Sequence, residues 1–199
     1  MESLVLDLKS IKQIRAYMAD NHLMHYEATI YKEMLNAIKN KDQQQLDWFC
    51  SFGDSFRTIA MNVHAYRKGL EFGFTEIAFD KYGWFVRPEW QDKEELAFGD
   101  TSRYGNYSTI TLGRGINGLW TYAMSYSYGV GGGGYGLSVY DKQLKSRDDA
   151  FHTALAVLKA KITEKIGSTD TLNNKQPIIL GTLKAVEKAE IARIQLTLF

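Results

Sequence analysis

The sequence predicts an α+β domain with a helical N-terminal part, an antiparallel sheet of four to five strands, and a long C-terminal helix packed on that sheet. Three observations carry this. Apolar residues recur at helical spacing through most of the first 70 positions. Around Gly69 and Gly73 the period changes to alternation. Behind the alternating segments, Ser146-Arg147-Asp148-Asp149 opens a helix with an N-cap serine and an acidic third residue, and Ala150, Phe151, Ala154, Leu155, Leu158 and Ile162 repeat along one stripe.

Taken in order, Leu4, Leu6 and Leu8 alternate with Val5 and Asp7 and predict a short strand. Ser10 is placed to cap a helix to Asp20 that buries Ile11, Ile14, Tyr17 and Met18. A second helix over 27–40 sets Ala28, Tyr31, Leu35 and Ile38 on one side. After a polar run at 41–45 come Leu46, Trp48, Phe49 and Phe52. Gly53-Asp54-Ser55 then restarts a helix with the stripe Phe56, Ile59, Ala60, Val63 and Leu70, and Asp54 is its simplest cap. Residues 74–80 and 84–87 read as a hairpin turning at Lys81-Tyr82-Gly83. The charged stretch 88–106 reads as a long loop, the natural place for a mobile or partner-contacting insertion.

Two strands follow, at 107–112 and 119–128, joined by a glycine-containing turn. In the second, Trp120, Tyr122, Met124, Tyr126 and Tyr128 share one face; Leu119, Thr121, Ala123, Ser125 and Ser127 share the other. Six of the eight residues at 129–136 are glycine, and 137–140 predicts a further strand. The capped helix runs to a stop at Gly167. A polar connector at 168–176 leads into a short helix over 177–188, begun by Pro177. The whole is read as a single domain over 1–199, with a mainly helical part at 1–70, sheet plus helix at 71–166, and connector, short helix and terminal strand or tail at 167–199.

Composition narrows the function. The formal net charge is +1 and the pI about 7.8, below the value of about 9 typical of a dedicated nucleic-acid domain. The balance is uneven: residues 1–100 hold 12 Lys/Arg against 16 Asp/Glu (−4), and residues 101–199 hold 12 against 7 (+5). No apolar run reaches the roughly 18 residues of a membrane span, and residues 1–7 lack the charged-then-apolar layout expected of a secretion signal. A single cysteine, Cys50, forms no internal disulfide. Its apolar neighbours predict a dull thiol. The expected setting is the cytoplasm.

The glycine run satisfies G-x-G-x-x-G through Gly129, Gly131 and Gly134. A strand follows it where a dinucleotide site needs a helix, so that context fails. Two readings stay open: a flexible hairpin tip, or bare amides lining an anion nest beside a nucleotide or nucleic acid. In the second, Lys142, Lys145 and Arg147 supply charge, and Tyr126, Tyr128 and Tyr135 supply stacking surfaces. Against it, the aromatic face is the only apolar one of its strand and so reads as core, with the Tyr126 and Tyr128 hydroxyls reaching solvent. The helix start at 146–150 is similar to that of double-stranded RNA-binding domains, which place paired lysines after the serine; Asp148 has the opposite sign.

His22, His25 and Glu27 form no recognised ligand set, so neither metal nor cofactor is expected. No nucleophile has an evident base, and the chain reads as non-enzymatic.

The chain ends Gln195-Leu196-Thr197-Leu198-Phe199. This pentapeptide resembles the bacterial sliding-clamp-binding motif, in which the glutamine is hydrogen-bonded and the Leu-Phe pair fills an apolar pocket. The resemblance implies that Gln195, Leu196, Leu198 and Phe199 bind the clamp, with Thr197 in place of a serine or aspartate. The same residues alternate as a half-buried strand would, one able to pair with Leu4–Leu8, so free tail and core strand both stand. Across most of its length, in segments such as 107–117 and 135–140, the chain resembles uncharacterised small proteins carried on mobile elements of gut bacteria. Together these imply an accessory protein of a plasmid, conjugative element or phage in DNA replication or repair. The alternative is a nucleic-acid or nucleotide-binding module built on the glycine hairpin.

Overall fold

The computed structural model describes residues 6–197, the side chains of 193–197 excepted. Among the described residues, six helices and a four-stranded antiparallel sheet confirm the α+β class. The chain divides into two compact units, Met1–Pro88 and Glu89–Phe199.

The first unit holds α1 (Ser10–Asp20), α2 (His25–Asn40), α3 (Gln43–Cys50) and α4 (Phe56–Leu70). Residues 6–9 form a turn, not the predicted strand. Ser10 is buried as the first helical residue, and the Asp7 carboxylate accepts the Lys9 and Ser10 amides at 2.8 and 3.1 Å. For α4 the cap is Ser55, whose Oγ accepts the Thr58 amide at 3.2 Å, one residue beyond the expected Asp54. The core gathers Ile14, Ile30, Tyr31, Met34, Phe49, Phe52, Ile59 and Val63.

The unit extends past residue 70 because the 74–87 segment packs on its own helices. Buried Asn62 donates to the carbonyls of Phe52 and Gly83 and accepts the Phe85 amide, at 2.7, 2.8 and 3.0 Å. The rings of Phe79 and Phe85 meet those of Phe52 and Tyr66 at about 6 Å. The predicted hairpin is reduced to a single bridge, Phe79 to Phe85.

The second unit is the sheet in the order β1 (Gln91–Gly99), β2 (Tyr107–Arg114), β3 (Trp120–Ser127) and β4 (Gly132–Tyr135), followed by α5 (Arg147–Thr163) and α6 (Gln176–Thr197). The first strand replaces about half of the expected loop over 88–106. The last lies inside the glycine run. Residues 137–140 form no strand; Ser138 and Asp141 close a turn instead, with the Ser138 amide on the Asp141 carboxylate at 2.9 Å. Ser146 caps α5 as expected, accepting the Asp149 amide at 3.0 Å. Of the predicted stripe, Ala150, Ala154, Leu155, Leu158 and Ile162 are buried and Phe151 is partly buried against the same core.

Register sorts the side chains, since directly paired residues share a face. Leu96 pairs with Ile110 and Ile110 with Met124; Leu112 pairs with Tyr122. These residues, with Phe98, Tyr126 and Tyr128, pack with α5 and α6 into one core. Buried Thr182 of α6 donates to the Phe98 carbonyl at 3.4 Å. The aromatic face of β3 is therefore core, as read from its alternation.

Candidate functional site

The opposite face of the sheet is built of small residues. Along one rung Ala97 pairs with Thr109, Thr109 with Ser125 and Ser125 with Gly134. At the Gly113 end of this face Trp90 and Leu137 close in: a Cβ on Gly113 would meet Leu137 Cδ1 at 2.7 Å and Trp90 Cβ at 3.1 Å. Thr121 and Ala123 are buried there. Toward the glycine strand the face stays uncovered and forms a groove of about 510 Å³. Its floor includes Thr109 and Ser125, Tyr104 and Tyr107 stand at one end, and Glu95 lines it from β1.

The glycine strand beside the groove is a packed edge. Gly133 pairs with Tyr126, whose ring folds across it, and a Cβ there would lie 2.6 Å from the Tyr126 hydroxyl oxygen. At Gly134 a Cβ would meet the Met124 carbonyl at 2.7 Å. Only glycine allows the two backbones this approach. The flexible-tip reading is thus replaced by an ordered strand.

The anion-nest reading meets a second obstacle. The Gly129 amide donates to Ser127 Oγ at 3.1 Å, and the Val130 and Gly131 amides donate to the Asn173 carbonyl at 3.3 and 2.9 Å. Amides spent in this way line no phosphate site.

The six residues assigned to nucleic acid do not converge. Lys142 and Lys145 are exposed and flank Leu144, which pairs with Trp120 at the start of β3. Tyr126 and Tyr128 lie at its other end, roughly 20 Å away along the strand. Arg147 is engaged: its Nε and Nη2 fork onto Glu94 at 2.8 Å each. Tyr128 is buried and donates to the Lys161 carbonyl at 3.2 Å, so its hydroxyl does not reach solvent as expected. Tyr126 has its hydroxyl over Gly133. Of the three tyrosines Tyr135 is exposed, on the helix side of the sheet beside Tyr122.

At the C-terminus α6 runs on to Thr197, nine residues beyond the expected Lys188, so the terminal-strand reading fails over 193–197. Gln195 and Leu196 fall in its last turns; Leu198 and Phe199 lie outside the described residues. Burial along α6 is described up to Ala192. Val186 is buried, Ala189 touches the core, and Glu190 accepts from Lys159 at 2.6 Å, whereas Ile191 and Ala192 are exposed.

Elsewhere, Glu27 accepts the Met24 amide at 2.8 Å at the start of α2. Among the described residues no group of three or more His, Cys, Asp or Glu could hold a metal ion. Burial pushes the Cys50 thiol up from its ordinary pKa. No helix among them is long and apolar enough to cross a membrane.

Sequence reading missed Glu95, Tyr104, Tyr107 and Thr109. The available signal was the placement of Thr109 and Thr111 on the same alternation as Ser125, which puts hydroxyls on one face of two paired strands. Comparison with protein families, with curated proteins and with solved structures finds no match.

Proposed function

We propose that this chain is a non-enzymatic accessory protein of a mobile genetic element, acting in DNA replication or repair and recruited to the bacterial sliding clamp by Gln195, Leu196, Leu198 and Phe199. The observation that supports this reading is the exposure of α6 shortly before the motif. The helix contributes to the core through Val186 and Ala189, and its side chains are exposed at Ile191 and Ala192, two residues short of the motif. An exposed stretch of helix leading toward the motif suits approach by another protein's pocket. Two apolar anchors then dominate a small interface.

The nucleotide or nucleic-acid alternative is the weaker reading, because Arg147 is held by Glu94 and the loop amides are already bonded. The test is a pull-down with purified bacterial clamp. The double variant Leu198→Ala plus Phe199→Ala is expected to abolish capture while the thermal melt stays unchanged. Loss of the fold in that variant would assign the two residues to the protein's own interior and end the clamp reading.

A further inference from the structure

The groove on the open sheet face carries a second assignment, independent of the clamp. Its lining contains one formal charge, the Glu95 carboxylate, and neither lysine nor arginine. Glu95, Tyr104, Tyr107, Thr109 and Ser125 have no side-chain partner among the described residues. A carboxylate only accepts hydrogen bonds, so whatever satisfies it must donate. A phosphate or carboxylate ligand would face uncompensated like charge.

The positions of these groups set the ligand's shape. Glu95 pairs with Thr111 on β2, and Tyr107 lies four residues back along the same strand. At strand rise that places the acidic and aromatic ends roughly 13 Å apart. Between them lie Thr109 and Ser125, whose short side chains leave room for an unbranched chain. An ammonium is attracted to a carboxylate at one end and to the faces of tyrosine rings at the other. Arg103 shares the loop with Tyr104 but does not line the groove.

We propose that the groove binds an elongated organic cation of the linear polyamine class, one nitrogen at Glu95 and another at the Tyr104–Tyr107 end.

The test is calorimetric titration of the full chain with putrescine, spermidine and spermine, with inorganic phosphate and a neutral disaccharide as controls. Affinity is expected to rise with chain length, and the controls should not bind. Glu95→Gln is expected to weaken spermidine by about two- to fivefold, as fits an exposed charge pair. Tyr107→Phe, which keeps the ring, should change it little. Glu95 is exposed, so the thermal melt of Glu95→Gln should match the parent. Amide chemical-shift mapping should move Thr109, Ser125 and Gly132. The proposal is overturned if no polyamine binds, if Glu95→Gln leaves the affinity unchanged, if the disaccharide binds as well, or if the shifts fall elsewhere.

Discussion

The two faces of the β1–β4 sheet are made by alternate residues of the same strands, yet they answer to different demands. One carries Leu96, Ile110, Leu112, Tyr122 and Met124 and is sealed by α5 and α6. The other carries Ala97, Thr109 and Ser125 and is open along the glycine edge. Burial of large apolar side chains supplies the stability of the unit. The small polar face adds little to it and leaves a concavity. Because consecutive residues divide between the two, substitutions on opposite faces of neighbouring strands test the division.

The largest expected effect is at Ile110, which is fully buried. Ile110→Ala should cost about 2–5 kcal/mol, the usual range for emptying a well-packed site. Ser125→Ala, on the open face, should stay within about 0.5 kcal/mol. Denaturant midpoints of the two variants give the comparison directly. Similar losses from both would mean that the open face is structural after all.

Next comes the edge. Gly134→Ala would place a Cβ 2.7 Å from the Met124 carbonyl, which is backbone and has little room to yield. The strand must shift outward, at about 1–3 kcal/mol by analogy with overpacked sites. A wild-type melting curve for this variant would show that β4 contributes nothing to the second unit and would undercut the groove wall with it.

Several features were legible because they are local. The Ser146 cap and most of the α5 stripe each depend on a few neighbouring residues, whereas α5 ends at Thr163, four residues before the expected stop at Gly167, which lies at φ +70° in the following turn. The aromatic face of β3 was legible because its alternation is unbroken. Strand β1 was not. Asp92, Lys93, Glu94 and Glu95 hide its pattern, and an irregularity in register between Gln91 and Glu94, with Asp92 at φ +46°, breaks the alternation near its start. Nor was β4, since glycine has low strand preference and the strand exists only through its pairing with β3. The short apolar alternations at 4–8 and 193–199 misled for the opposite reason. Period alone does not supply a pairing partner, and the described parts of these segments are a turn and a helix. The groove was hidden because it needs three strands in register, which no single segment displays.

The finest comparison is between two consecutive glutamates. Glu94 faces the helices and is forked by Arg147; Glu95 faces the groove and has no partner among the described residues. The Arg147–Glu94 side chains are 41% and 38% exposed, so water screens much of their attraction despite the two parallel hydrogen bonds. A double-mutant cycle with Arg147→Met and Glu94→Gln should therefore return a coupling of about 0.2–1 kcal/mol. The same cycle with Glu95→Gln in place of Glu94→Gln should return no coupling, since Glu95 points to the other side of the strand. Equal couplings would mean that Arg147 senses both carboxylates, and the two faces would then not be electrostatically separate. A coupling confined to Glu94 would show that the basic residue at the start of α5 serves the fold, leaving Glu95 as the charge available to a ligand.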